Sequence, residues 1–99
     1  MAIGERTLQQ AREALEALRE AKLTEPGWRR VADLVKRLDG ALISGDEVGA
    51  RAATDDLQIA VYPRRAAMDA GSVDPPPDFD RDLPNILITR IDETLTSSG

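Results

Sequence analysis

The chain has no cysteine and no histidine, and only three aromatic residues, Trp28, Tyr62 and Phe79. Without cysteine there is no disulfide framework and no thiolate chemistry. Without histidine, the usual nitrogen-and-sulfur zinc sites and the Ser-His-Asp and Cys-His catalytic arrangements are excluded. With so few rings, the core must come from leucine, isoleucine and valine. No apolar run approaches the roughly 18 residues that span a bilayer, and the opening "MAIGERTLQQ" lacks the basic and apolar regions of a signal peptide. A cytoplasmic protein is expected. Basic charge is also in deficit. The net charge of −5 argues against nucleic acid as the main ligand and against an anionic membrane surface.

What is present is helical periodicity. The length of 99 residues fits one domain with a modest core. In "TLQQAREALEALREAK", Leu8, Ala11, Leu15 and Leu18 fall on one stripe, and Thr7 with Gln10 fits a capping box. The spacing predicts a helix over 7–22. In "LTEPGWRRVADLVKRLDGALISG", Trp28, Val31, Val35, Leu38 and Leu42 make an inner stripe that Leu34 widens. Pro26 suits a first turn, and Gly45 suits a left-handed stop. This predicts a helix over 26–43. Asp46 then caps a third helix, "EVGARAATDDLQIAV". Its apolar residues lie in two groups: Ala50, Ala53, Leu57 and Val61 on one side, Val48, Ala52 and Ile59 on another. So wide an arc suits a helix covered from two directions. Asp56 lies inside that arc; its plain reading is a snorkelling or salt-bridged residue near the edge, and its sharper reading is a polar contact for a partner.

Tyr62-Pro63 ends the helical run. "RRAAMDAGSVDPPP" has no periodicity and reads as a stiff extended connection. In "DLPNILITRIDETL", Leu83, Leu87, Ile91 and Leu95 recur every four residues, with Asp82 as candidate cap. The β-branched "ILITRI" also fits a strand, but no second strand is evident to pair with it, so a helix is expected. The expectation is an all-α, small antiparallel bundle in a single domain. Residues 1–62 form a three-helix core, 63–82 a proline-rich strap, and 83–99 a C-terminal helix delivered onto the open side of helix three.

Chemical motifs fail on the residues that matter. Gly40 and Gly45 have the spacing of a phosphate loop, but Asp46-Glu47 stands where Lys-Ser/Thr is needed. "DFDRD" begins like a calcium loop, but Leu83 and Thr89 replace the required glycine and glutamate. Helices two and three resemble a helix-turn-helix in outline, yet the reading helix carries Asp55 and Asp56 against a single Arg51. No catalytic residue, cofactor site or metal site is assigned. Arg29, Arg30, Lys36 and Arg37 form the basic cluster. Its plain reading is a solvated face partly paired with Asp33; its sharper reading is a docking patch for an acidic protein surface. Pro75, Pro76, Pro77 and Phe79 are a second candidate docking element, because exposed proline-rich segments are often bound by other proteins. Trp28 reads as a core anchor.

The run "GWRRVADLVKRLDGALISGDEVGARAATDDLQIA", with "DPPPDF" before a closing helix, resembles the CATRA-associated small proteins of multicellular bacteria, especially actinobacteria. The resemblance covers most of the chain from about residue 8, is strongest over Trp28 to Leu57, and contains no catalytic motif. It implies an accessory protein of a conflict or defence system in which a CATRA protein is paired with caspase-like peptidases, repeat scaffolds or other effectors. The expected role is a non-catalytic adaptor or regulator whose partner is a CATRA protein or caspase-like effector. Rival readings are an antitoxin-like inhibitor, a self-assembling structural bundle, and a small enzyme using carboxylates, Tyr62 or Lys22. Self-association is left open.

Overall fold

A computed structural model describes residues 3–19, 21, 23–61, 74, 76, 77 and 79–98. It contains four helices, α1 (Glu5–Leu18), α2 (Glu25–Ser44), α3 (Glu47–Val61) and α4 (Asp82–Ser98). There is no strand among the described residues. The all-α expectation holds, and "ILITRI" is helical. The strap lies largely outside the described residues, as do Tyr62, Lys22 and Pro75.

The starts of α2, α3 and α4 and the end of α2 each have an identifiable local cause. Thr24 caps α2, its hydroxyl oxygen accepting from the Gly27 amide at 3.3 Å, with Pro26 in the first turn. Gly45 closes α2 in the left-handed region, at φ 71°, where a side chain is disfavoured. Asp46 caps α3 by accepting from the Gly49 amide at 3.0 Å. At α4 the cap is Asp80, which accepts from the amides of Asp82 and Leu83 at 3.0 and 3.1 Å. Asp82, the expected cap, is instead the first helical residue. Pro84 sits in that first turn, where its missing N–H leaves no bond unmade.

The start of α1 departs from expectation. The helix begins at Glu5, so Thr7 is an interior residue and forms no capping box. Gly4 supplies no side-chain cap. Its amide donates to Glu47 Oε2 at 2.8 Å, and the Thr7 hydroxyl donates to Glu47 Oε1 at 2.7 Å. One carboxylate at the start of α3 thus satisfies two donors of α1. A Cβ at residue 4 would stand 3.3 Å from Glu47 Oε1, so the small residue suits this close approach. α1 also stops early. Amides of Arg19 and Ala21 bond three residues back, tightening the last turn. The chain then leaves the helix axis and buries Leu23.

The helices pack in the cyclic order α1, α3, α2, α4, and the contact between α2 and α4 is the lightest. α1 and α2 face each other across a diagonal, as do α3 and α4. Glu47 shows that α1 and α3 start at the same end. Gly45 and Asp46 reverse the chain between α2 and α3. Arg12 Nε meets Asp92 Oδ1 at 2.6 Å, and Arg19 meets Asn85 at 2.9 Å. Two turns forward along α1 match two turns back along α4, so this pair is antiparallel. Trp28 meets Phe79, with ring centroids 5.2 Å apart, and Asp39 meets Arg90 at 2.6 Å. Equal forward steps here make α2 and α4 run the same way. These charge pairs are partly exposed, so they set register more than they stabilise.

This arrangement corrects the expected docking of the closing helix. α4 lies on α1 and touches α2; it does not contact α3. Its Leu87, Ile88 and Ile91 join a core that contains Leu8, Leu15 and Leu18 of α1, Trp28, Leu34 and Leu38 of α2, and Leu57 of α3. α1 is covered by α3 and α4 together, so its stripe needs no direct contact with the backbone of α2. The buried Thr54 hydroxyl has no hydrogen-bond partner among the described residues.

The carboxyl of Glu47 is held below the usual carboxylate range, chiefly by the Thr7 hydroxyl and next by the Gly4 amide, with Arg51 adding to the effect. A depressed value in the folded state stabilises above the unfolded value, and that contribution is lost as pH falls through the folded one. Glu47→Gln is therefore expected to melt below the parent at pH 7, with the two curves converging below about pH 4. Melting curves at the two pH values check this; a gap that stays constant would mean that the carboxylate's charge is not what holds the start of α1.

Candidate interaction surface

The residues singled out in the sequence do not form one site. Arg29, Arg30, Lys36 and Arg37 are all exposed on the outer face of α2. Arg29 pairs with Glu25 and Arg37 with Asp33, each at 3.0 Å and one helical turn away. Half of the cluster is thus neutralised within its own helix. Phe79 is half-buried, its ring edge-on to Trp28 at an interplanar angle of 67°. It therefore ties the approach to α4 onto the start of α2. The Pro76 carbonyl accepts from the Phe79 amide at 2.9 Å, Pro76 is half-buried, and Pro77 is exposed.

The most exposed apolar side chains lie elsewhere. Val48 and Ile59 of α3 are 79% and 73% accessible, and Ile43 at the end of α2 is 68% accessible. Ala52 is exposed as well. The second apolar group of α3 therefore faces solvent, because the helix expected to cover it packs on α1. The first group, Ala50, Ala53, Leu57 and Val61, is buried as its period requires.

A cleft of about 360 Å³ opens at the end of the bundle, between the start of α1, the end of α2 and the second half of α4. Its walls include Leu8, Leu42, Ile43 and Ile91, with Arg90 at one side. That guanidinium is already paired with Asp39. The two hydroxyls in the cleft are turned to the backbone: Ser44 donates to the Gly40 carbonyl and Thr94 to the Arg90 carbonyl, each at 3.0 Å. Among the described residues no group of acidic side chains is arranged to hold a metal ion. No helix among them is long and apolar enough to cross a membrane.

The model of one protein family, CATRA-Associated Small Protein, matches residues 10–95. The chain belongs to the CATRA-Associated Small Protein family. The match takes in all of α2 and α3 and most of α1 and α4, so the features of this family member described above lie almost wholly within the shared region. The family name associates it with a CATRA system. No curated protein and no solved structure matches the chain.

Proposed function

We propose that the protein is a non-catalytic helical interaction module that serves as an adaptor or regulator in a CATRA-type conflict system. The observation that carries this reading is the apolar stripe of α3, Val48, Ala52 and Ile59, which is exposed and which no other helix of the bundle covers among the described residues. Isolated exposed apolar residues are ordinary, but a row of them along one helix face marks a contact surface. The hydroxyls that line the cleft are bonded to backbone, which favours binding over chemistry. The partner is a CATRA protein or caspase-like effector of the same system, met in the cytoplasm, with Arg30 and Lys36, which form no ion pair among the described residues, as a second point of contact.

Co-expression with the CATRA protein and the effector of the same gene neighbourhood tests this. A complex that survives size-exclusion chromatography with either one is expected. Neutralisation of a lone toxic effector, with no CATRA protein bound, would favour the antitoxin-like reading. Elution of the chain apart from every one of these proteins would rule out the adaptor.

A further inference from the structure

We infer that the outer face of α3 docks an amphipathic helix of a partner protein, one that carries a lysine or arginine in the middle of its apolar stripe. The inference rests on the interaction-module reading and specifies what the module binds. Residues 48, 52, 55 and 59 recur at four, three and four, the spacing of a helix–helix seam. Val48 and Ile59 form its two ends, Ala52 is a small residue that permits close approach, and all three are exposed. The stripe spans about 16 Å, or three helical turns. Valine and isoleucine are poorer helix formers than alanine, and at these exposed positions they gain no burial within the chain.

The fourth seam residue is Asp55, which is exposed, with Asp56 beside it. Neither has an ion-pair partner among the described residues. Arg51, on the opposite flank, pairs with neither of them among the described residues, so one cation stands against two unpaired carboxylates. The uncompensated charge of this face is therefore negative. A wholly apolar partner would strip water from Asp55 and return nothing. A cation opposite Asp55 removes that cost, and the net charge of −5 draws such a partner in.

A second copy of the chain does not fit. A two-fold axis parallel to α3 offers Arg51 to Asp56 of the second copy, but it closes Asp55 on Asp55 inside the seam. A two-fold axis perpendicular to α3 sets Arg51 beside Arg51 and Asp56 beside Asp56. Each symmetric pairing brings like charges together, so the face is built for a different chain.

The test uses the full chain and three synthetic helical peptides with the same leucine stripe and a central lysine, glutamine or glutamate. Affinities are read by fluorescence anisotropy at low salt. The lysine peptide is expected to bind at least about tenfold tighter than the glutamate peptide. Asp55→Lys is expected to reverse that order, and Val48→Glu or Ile59→Glu to abolish binding, with unchanged circular dichroism showing that the exposed substitutions leave the fold intact. Binding that ignores the central charge, persists in Val48→Glu, or is absent for all three peptides overturns the proposal. So does self-association in sedimentation velocity that Val48→Glu removes, since the face would then belong to a second copy. If a CATRA-system protein binds Val48→Glu and Ile59→Glu as tightly as the parent, this docking face is wrong while the module reading stands. If the lysine peptide binds as expected and no protein of the system does, the module's assignment to that system is wrong while the docking face stands.

Discussion

Leu38→Ala is expected to lower the unfolding free energy by about 2–5 kcal/mol. Leu38 is fully buried near the middle of α2, among the same core residues as Leu15, Leu57, Leu87 and Ile91. All four helices contribute to that cluster, so collapse into the vacated space would require several helices to shift together. Resistance to such collapse is what makes a cavity costly. Domains of this size are stable by only about 5–15 kcal/mol, and each kcal/mol moves the midpoint by about 4–8 °C. Thermal melts should therefore show a fall of at least about 8 °C. Lys36→Ala, on the exposed side of the same helix, is the matching control and should change stability by less than about 0.5 kcal/mol. A Leu38→Ala protein that melts within about a degree of the parent would mean that the buried face of α2 is assigned wrongly.

Truncation after Tyr62 should have a larger effect still. It removes Leu87, Ile88 and Ile91, all buried, and burying one such side chain is worth about 1.5–3 kcal/mol. Together these three account for about 5–9 kcal/mol on that scale, which is comparable with the whole stability of a small domain. The cut also takes α4 away from the α1 leucines Leu8, Leu15 and Leu18, and it removes Asp92 and Asn85, leaving Arg12 with Glu16 alone. The remnant is expected to aggregate or to lose cooperative unfolding. A monomeric remnant that melts cooperatively at the parent temperature would show that α4 is not part of the core.

The outcome of that experiment depends on which helix α4 covers, and the sequence was misleading there. The wide apolar arc of α3 suggested two coverings, and the closing helix was the available second cover. Two features of the fold decide otherwise. α1 presents leucines at 8, 15 and 18 with Arg12 and Arg19 beside them, and α4 returns Leu87, Ile88 and Ile91 with Asp92 and Asn85 in antiparallel register. This match of apolar stripe and flanking charge exceeds anything Val48, Ala52 and Ile59 offer. A wide arc that reads as needing a cover beyond α1 and α2 belongs, in the fold, to a helix packed on those two alone among the described residues, with an outward-facing stripe.

The capping of α1 shows the same division. Thr7 and Gln10 have capping-box spacing, and nothing in the first ten residues points to Glu47. The acceptor lies far along the chain and becomes available only when α1 and α3 start side by side. By contrast, Gly45 and Asp46 act on residues within a few positions of themselves, and each was legible. The candidate site divides in the same way. The basic cluster of α2 and its pairing with Asp33 lie within one helix and could be found by counting residues, but the exposure of the α3 stripe required the assembled bundle.

The sequence by itself determined that this protein is all-α, where α2 and α3 lie, that α4 is a helix, and which face of each is apolar. Those properties follow from local rules: the 3.6-residue period, caps within a turn, and proline and glycine at helix ends. The tertiary structure alone decided the cyclic order of the helices, the pairing of α4 with α1, the capping of α1 by Glu47, and the exposure of the stripe that we assign to a partner. Periodicity says that a face is apolar; it does not say which neighbour covers it. That choice is made by the fit of side-chain volume and charge between helices distant in sequence, and it is settled only when all four compete for the same core.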